Sequence, residues 1–239
     1  MKYCFDLDET LCATPTSRKY ADAVPYYPVI DRVNQLHDEG HHITIYTARG
    51  GTSKIDHNEL TTSQLKRWGV KYDRLIDKGK PDWDIFVDDK AINSIEWRKQ
   101  ENIEIVGFVA SCFDMLHAGH CLYLKESKSV CDRLIVGLQS DPTIDRPDTK
   151  SKPIQSLAER KIQLESIGYV DEVVVYDTEE DLENLIKEIK PHIRILGTDY
   201  LNVPSSEITG YAYCTNIRYH ERNHDWSTTD LRKRVENAR

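Results

Sequence analysis

The sequence predicts an α/β protein made of two domains, each built on a parallel sheet. Short apolar segments alternate with amphipathic helical segments along all 239 residues, which is typical of strand–helix–strand units. Polar residues follow the first strand-like segment and, again, a strand-like segment near residue 107, and parallel sheets bind ligands at the carboxyl ends of strands. The pattern therefore starts twice. We place the boundary in the polar stretch 98–102, which gives domains 1–101 and 102–239.

The elements are predicted in the following order. Strands are expected at 3–7, 42–46, 85–87, 103–110, 133–138, 172–176, 193–197 and 217–219. Helices are expected at 28–39, 59–68, 91–99, 119–129, 157–167, 180–189 and 228–237. Gly40 is placed to end the first helix, since glycine adopts the left-handed conformation that closes helices. The stretch 228–230 is placed to begin the last helix, because threonine and aspartate cap helix starts.

Composition and charge exclude several function classes. A formal net charge of −8 argues against a general nucleic-acid-binding protein, which carries a basic face. The six cysteines include no CxxC pair, so we interpret them as the reduced thiols of a cytoplasmic protein. No apolar run approaches the ~20 residues of a membrane span, and the N-terminus lacks the pattern of a signal peptide. We therefore predict neither a nucleic-acid partner nor a membrane partner.

Carboxylates follow the first predicted strand. Asp6 and Asp8 flank one residue there, and carboxylates held this close repel each other unless a proton or cation lies between them. Mg²⁺ accounts for the pair, because it binds one or two carboxylates together with phosphate oxygens. Thr47, Lys80 and Asp88 follow or precede later strands. Each residue alone is explained by turn capping, but the combination predicts a phosphoryl-transfer site.

Segments 5–11, 46–49, 79–81 and 87–89 resemble the haloacid-dehalogenase-like phosphatases. Segments 41–50 and 84–90 look like the small members linked to capsule and surface-sugar synthesis. The resemblance implies a capless Rossmann-like domain in which Asp6 is the nucleophile and Asp8 the general acid and base. Thr47 and Lys80 would hold the phosphoryl group. Asp6, the backbone carbonyl of Asp8, and Asp88 would bind Mg²⁺. A scaffold module that has lost hydrolysis is the alternative.

A histidine pair lies at the predicted start of a helix in the second half. His117 and His120 are three residues apart and so share one face of a helical turn, while Gly119 lets the backbone approach a ligand. Helix N-terminal amides attract a triphosphate, and imidazoles donate to phosphate oxygens as charge develops. A metal pair and simple helix capping are the alternatives. Metal ligation needs further ligands, and only Asp114 is close in sequence.

Residues around this pair resemble the nucleotidyltransferase superfamily that holds the glycerol-3-phosphate and ethanolamine-phosphate cytidylyltransferases and the heptose 1-phosphate adenylyltransferase. The resemblance covers 103–239 and is carried by segments 111–114, 117–120, 159–161, 167–173, 197–200 and 226–232. Ser111 departs from it, because the family usually has glycine there. The resemblance implies a second Rossmann-like domain, of the HIGH type, that transfers a nucleotidyl group to a phosphate and releases pyrophosphate.

The resemblance also implies the roles of individual residues. His117, His120 and Lys152 would be catalytic, with the lysine reaching the triphosphate from a loop. Arg160 would bind the acceptor phosphate or the nucleotide. Ser227, Thr228 and Thr229 would cradle the β- and γ-phosphates, for which an ordinary helix cap is the alternative. The other implied binding residues are Cys112, Phe113, Asp114, Gly197, Asp199 and Arg222.

The predicted nucleotide depends on one spacing. Arg222 lies five residues before Ser227, as an arginine does in the glycerol-phosphate cytidylyltransferases, so CTP is predicted over ATP. Segments 197–200 and 207–210 also look like the heptose branch, which keeps an ATP-dependent adenylyltransferase of a heptose 1-phosphate type sugar as the alternative. A regulatory nucleotide sensor is the non-enzymatic alternative for this half.

The combined prediction is a bifunctional enzyme. A Mg²⁺-dependent phosphatase would remove one phosphate, and the second domain would transfer CMP from CTP to a phosphorylated polyol or sugar, such as glycerol 3-phosphate, for surface polysaccharide precursors. The acceptor phosphate is already a nucleophile, so orientation, Mg²⁺ and cations suffice without a general base. A homodimer or higher homo-oligomer is expected.

Overall fold

The computed structural model describes residues 1–15, 17–80, 90–214 and 216–238. The chain divides into two compact units, Met1–Glu104 and Ile105–Arg239. The division falls slightly later than the predicted boundary. The residues that follow the last helix of the first unit remain attached to it, because the N–H of Ile103 donates to the carbonyl of Arg98 at 2.8 Å.

The first unit carries a parallel sheet. Its elements are β1 (Lys2–Phe5), β2 (Cys12–Ala13), β3 (Val24–Pro25), α1 (Tyr27–Asp38), β4 (His42–Tyr46), α2 (Asn58–Arg67), β5 (Arg74–Ile76) and α3 (Ser94–Gln100). The order in the sheet is β1-β4-β5, and both pairings are parallel. Strands β2 and β3 form a separate antiparallel pair. The predicted strand 85–87 lies outside the described residues.

The core of the first unit lies between α1 and the sheet. Helix α1 buries Val29, Ile30, Val33 and Leu36, the spacing of one apolar helix face, and it contacts β4. Strand β4 turns Ile43 and Ile45, both fully buried, inward. Burying these aliphatic side chains contributes roughly 1.5–3 kcal/mol each relative to exposure. The core thus fixes β1 and β4 side by side, with the residues that follow them at one edge.

The second unit carries a five-stranded sheet. Its elements are β6 (Val106–Ser111), α4 (Ala118–Lys128), β7 (Arg133–Gln139), α5 (Leu157–Glu165), β8 (Glu172–Tyr176), α6 (Glu179–Ile189), β9 (Ile193–Gly197), β10 (Ile217–His220) and α7 (Thr228–Asn237). The order is β10-β9-β6-β7-β8, and all pairings are parallel. The predicted α/β class with parallel sheets is confirmed, and the second unit is Rossmann-like in its winding.

The strand order of the second sheet reverses at β6. From β6 the chain builds outward through β7 and β8, then returns to the other side of β6 for β9 and β10. Parallel sheets bind ligands where the strand order reverses in this way. The carboxyl end of β6, followed by the start of α4, is therefore the expected place for a ligand.

Local signals fix the ends of the helices in the second unit. Ser156 and Glu159 form a capping box at α5, and Thr178 and Asp181 form one at α6, so the first N–H groups of both helices are satisfied. The segment between β9 and β10 returns to α6 at Gly210, which adopts a φ of +70°. A side chain there would come within 2.7 Å of Ile186 Cδ1, so glycine permits the close packing. No helix in the described ranges is long and apolar enough to cross a membrane.

Candidate active site

A cavity of about 670 Å³ lies at the carboxyl edge of the second sheet. All five strands contribute to its wall near their ends, through Ser111, Gln139, Tyr176, Gly197 and His220. The cavity therefore occupies the position that the winding of the sheet indicates for a ligand. The predicted site residues in its lining are Cys112, His117, His120, Gly197, Asp199, Arg222, Ser227 and Thr228.

The histidine pair lies in this lining at the start of α4. The two imidazole rings stack, with centroids 3.8 Å apart and planes 22° apart. The Nδ1 atoms of His117 and His120 are buried and have no hydrogen-bond partner among the described residues, whereas His117 Nε2 lies 3.4 Å from the hydroxyl of Thr228. Buried ring nitrogens without partners are unusual in folded proteins, which marks this pair as a candidate for ligand binding.

The surroundings keep both imidazoles neutral. Burial, and then the neighbouring His117 and Arg222, lowers the pKa of His120 to about 3. Burial also lowers the pKa of His117, with Arg222, His224 and Arg234 adding to the shift. A neutral imidazole retains one N–H donor. The positive charges that disfavour protonation are the same charges that attract a phosphate group.

Gly119 allows a third histidine to approach the pair. A Cβ at this position would lie 2.7 Å from His224 Cε1 and 3.0 Å from the ring of His117, so no larger residue fits without displacement. His224 lines the cavity, and neither of its buried ring nitrogens has a partner among the described residues. Its ring stacks on Trp226, with centroids 5.1 Å apart. Sequence reasoning missed His224, although it stands three residues before Ser227.

The start of α7 forms another wall of the cavity. The Ser227 side chain accepts a hydrogen bond from the N–H of Asp230 at 3.0 Å, so it caps the helix as the alternative interpretation proposed. Ser227 and Thr228 both line the cavity, and Thr229 is exposed outside the lining. Arg222 donates to the carbonyl of Trp226 at 2.7 Å, and its charge reaches both histidines.

Asp114 lies behind the cavity wall rather than in it. Its buried carboxylate accepts from the N–H groups of Ile154 and Gln155, each at 3.0 Å, and from Arg232 at 2.7 Å. Burial raises the pKa of Asp114, but these donors outweigh it and hold the pKa below its usual value. Asp114 thus ties the loop before α5 to helix α7, a positioning role instead of the predicted binding role. Phe113 is also buried and packs edge-on against His120.

Arg160 is placed differently from the prediction. Its side chain is fully buried and does not belong to the cavity lining. It donates to the backbone carbonyls of Cys112, Gln139, Ser140 and Gln155 at 2.6–3.2 Å. These carbonyls satisfy the guanidinium, so in this structure it joins three loops and does not face an acceptor phosphate.

Lys150 and Lys152 both lie in the loop between β7 and α5, but only one of them lines the cavity. Lys150 lines the cavity, and the predicted Lys152 does not. Lys152 is exposed, and its carbonyl accepts from Arg232 at 3.2 Å. Lys150 is therefore the loop lysine placed to approach a bound phosphate.

The first unit brings two of its predicted residues, Asp6 and Lys80, into contact. Lys80 Nζ lies 2.8 Å from Asp6 Oδ1 and 3.2 Å from the carbonyl of Tyr46, next to Thr47. Thr47 is fully buried, and its hydroxyl accepts from the N–H of Arg49 at 3.3 Å. Asp88 lies outside the described residues. In the described part of the chain no group of three His, Cys, Asp or Glu side chains is arranged to hold a metal ion.

Asp8 is held by an arginine that sequence reasoning left without a role. Arg49 donates to Asp8 Oδ1 at 2.7 Å and to Oδ2 at 2.9 Å, and the hydroxyl of Thr14 donates to Oδ1 at 2.6 Å. The Arg49 side chain is 1% exposed and also donates to Gln64 at 2.5 Å. Such bidentate, charge-assisted pairs are the strong ones.

Comparisons with known proteins identify the family. The Bifunctional protein HldE of Campylobacter concisus (strain 13826) is 36% identical over 151 residues, which is 63% of this chain and 31% of that protein. The HldE of Helicobacter pylori (strain Shi470) is 35% identical over 147 residues, which is 62% of this chain and 30% of that protein. The chain thus spans about a third of the length of these curated relatives.

Solved structures are also similar to part of the chain. The lipopolysaccharide core biosynthesis protein from Thermoplasma volcanium GSS1 is 30% identical and covers 51% of this chain and 99% of that chain, with a TM-score of 0.43. The Cytidylyltransferase-like family model matches residues 108–234, more than half of the chain and nearly all of the second unit. The chain therefore belongs to the cytidylyltransferase-like family of nucleotidyltransferases.

Proposed function

We propose that the second unit transfers an adenylyl group from ATP to the phosphate of a heptose 1-phosphate type sugar and releases pyrophosphate. One observation carries the proposal: a stacked histidine pair with unsatisfied ring nitrogens lies in a large cavity at the N-terminus of α4. Imidazole rings at a helix start, where the backbone amides are also unpaired, form a site for a polyphosphate.

The residues of the cavity have separate tasks in such a transfer. An oxygen of the acceptor phosphate forms a bond to the α-phosphorus of ATP, and the bond from that phosphorus to the bridging oxygen breaks, so pyrophosphate leaves. His117 and His120 donate hydrogen bonds to the phosphate oxygens as charge develops. The N-terminus of α7 and the cations Lys150 and Arg222 offset the charge of the leaving group.

The predicted Mg²⁺ fits this cavity as a companion of the triphosphate. The described residues hold no three-residue metal cluster, and Mg²⁺ commonly binds through one or two carboxylates together with substrate phosphates. Asp199 supplies one carboxylate in the lining. When bound, the ion neutralises triphosphate charge.

The proposal replaces CTP, the predicted nucleotide, with ATP. The prediction of CTP depended on Arg222, whose charge reaches His117 and His120 and whose Nη2 donates to a backbone carbonyl. An arginine beside the phosphate-binding histidines serves either nucleotide equally. The curated HldE relatives and the heptose-like segments 197–200 and 207–210 both favour the alternative, the heptose branch.

A screen of pyrophosphate release tests this proposal. Purified protein is incubated with ATP or CTP and with sugar 1-phosphates, glycerol 3-phosphate or amino-alcohol phosphates. Release with ATP and a sugar 1-phosphate is expected to exceed release with every CTP pair. A higher kcat/KM for CTP with glycerol 3-phosphate would restore the first prediction, and the absence of release from all pairs would leave a nucleotide sensor.

For the first unit we propose a Mg²⁺-dependent phosphatase that acts before the transfer. The 2.8 Å contact between Lys80 and Asp6, beside the buried Thr47, supports a phosphoryl site at this edge. The test is phosphate release from sugar bisphosphates by the wild type and by Asp6→Asn. Release that the substitution abolishes supports the phosphatase, and a wild type without turnover supports the scaffold alternative. The homodimer or higher homo-oligomer and the link to surface polysaccharides stay predictions.

A further inference from the structure

The active-site cavity contains a second polar cluster besides the histidines, which we call the donor corner. Its members are Gln139, Arg146, Glu179, Arg194 and Thr209. Gln139 ends β7, Glu179 begins α6, and Arg194 lies in β9. The cluster thus joins residues from both sides of the central strand β6, in the same cavity as the His117–His120 pair.

A chain of contacts fixes the donor corner. Arg146 Nη2 lies 2.9 Å from Glu179 Oε1, and the Thr209 hydroxyl donates to Glu179 Oε2 at 2.6 Å. Arg194 Nη1 donates to the carbonyl of Thr209. Both carboxylate oxygens of Glu179 are therefore engaged, and the two guanidinium groups are held in place before a ligand arrives.

Three donors of the corner are left without acceptors. Gln139 Nε2, Arg146 Nε and Arg194 Nε are buried and have no hydrogen-bond partner among the described residues. The Gln139 and Arg194 residues are only 3% and 4% exposed. A buried donor without an acceptor is unfavourable, and native proteins leave few of them. Three in one cavity indicate that a ligand supplies the acceptors.

The chemistry of these three atoms limits the ligand. All are N–H donors, two belong to cations, and the carboxylate of the corner has no free oxygen. Hydroxyl and phosphate oxygens satisfy such donors, whereas the ammonium group of an amino-alcohol phosphate brings only further donors and a positive charge beside two guanidinium groups. Tyr176, which carries a phenolic hydroxyl, also lines the cavity. Burial and then Glu179 raise the pKa of Tyr176, so that hydroxyl stays protonated.

We propose that the donor corner binds the acceptor of the transfer reaction, a phosphorylated sugar or polyol, and selects it over amino-alcohol phosphates. The inference depends on the proposed nucleotidyl transfer, because that reaction requires the acceptor in the same cavity as the histidine pair. It also replaces the acceptor role predicted for Arg160, whose donors are satisfied by backbone carbonyls. Arg146 and Arg194 supply the cations instead.

The test separates binding of the acceptor from binding of ATP. Arg146→Gln removes one cation, and Gln139→Leu removes one orphaned donor at similar volume. Each is expected to raise KM for a sugar 1-phosphate about tenfold or more and to leave KM for ATP unchanged. Arg133→Gln is the matched control, because Arg133 forms an ion pair with Glu172 outside the cavity lining. It should change neither constant.

A direct binding measurement tests whether the donor corner binds the acceptor, independently of whether the protein catalyses the proposed transfer. Calorimetric titration of glucose 1-phosphate and phosphoethanolamine into the wild type, Arg146→Gln and Gln139→Leu needs no turnover. Weaker glucose 1-phosphate binding by the variants supports the corner even if no pyrophosphate is released. Equal binding by all three proteins, tighter binding of phosphoethanolamine, or no binding of glucose 1-phosphate to the wild type overturns it. Thermal unfolding confirms that each variant is folded.

Discussion

The proposed sites of the two units differ in how their polar side chains are satisfied. In the first unit the charged groups satisfy one another: Asp6 pairs with Lys80, and Asp8 pairs with Arg49. In the second unit the Nδ1 atoms of His117 and His120 lack partners among the described residues. Internal pairing stabilises a site in the absence of substrate, whereas unsatisfied donors make a site depend on its ligand. The comparison predicts that removing a paired charge in the first unit lowers stability, whereas removing a histidine ring in the second unit lowers mainly turnover.

Arg49→Met should have the largest effect, and on stability. It leaves the carboxylate of Asp8 in a largely buried place without its cation, and breaking a buried pair from one side costs roughly 3–5 kcal/mol. Denaturant unfolding of the full chain, followed for the first unit by exchange of its amide hydrogens, measures the loss. Arg133→Met removes an exposed ion pair and should cost less than about 1 kcal/mol. Equal losses of unfolding free energy in the two variants would show that the Asp8–Arg49 pair contributes no more to stability than an exposed ion pair.

His120→Ala should lower turnover with little loss of stability. Removing one preorganised donor to a developing charge typically reduces kcat about 10²- to 10³-fold, and here no hydrogen bond to Nδ1 is lost on substitution. Pyrophosphate release measures kcat, and thermal unfolding checks the fold. His42→Ala in the first unit is the control. Turnover that survives His120→Ala would remove the histidine from the reaction.

Gly119→Ala tests the close approach of the histidines. The new methyl group would lie 2.7 Å from His224 Cε1, and overpacking of this kind costs roughly 1–3 kcal/mol. We expect a lower free energy of unfolding and lower pyrophosphate release together. Gly168→Ala is the control, since nothing lies within 4 Å of a Cβ at that position. Unchanged kcat in Gly119→Ala would mean that His224 can move away freely.

The smallest predicted effect is a dependence of stability on pH. The pKa of His120 falls from its ordinary value of 6.5 to about 3 in the folded protein, so between these values the unfolded chain binds more protons than the folded one. Stability from this residue is therefore present above pH 6.5 and decreases as pH falls toward 3. His120→Asn should make the decrease between pH 7 and 4.5 shallower in denaturant titrations. An identical slope would contradict the burial of this ring.

Local patterns predicted which side chains lie at the ends of strands and helices better than they predicted the contacts of those side chains. The His117–His120 pair was recognisable because both residues and Gly119 fall within one helical turn. Arg49 and His224 were missed because their partners, Asp8 and Gly119, lie far away in the sequence. Asp114 and Arg160 stand at positions that match the motifs of the family. Only the fold shows that backbone N–H groups already bond the Asp114 carboxylate and that backbone carbonyls already bond the Arg160 guanidinium. Strand β5 has three residues, too few for a periodic signal.

The most direct test of the account follows the phosphorus atoms of ATP. The wild type is incubated with a sugar 1-phosphate and with ATP labelled at either the α- or the γ-phosphorus. The account predicts that α-label enters a sugar nucleotide and γ-label leaves in pyrophosphate, and that His120→Ala slows both together. Release of γ-label as inorganic phosphate, with the α-label retained in ADP, would contradict adenylyl transfer.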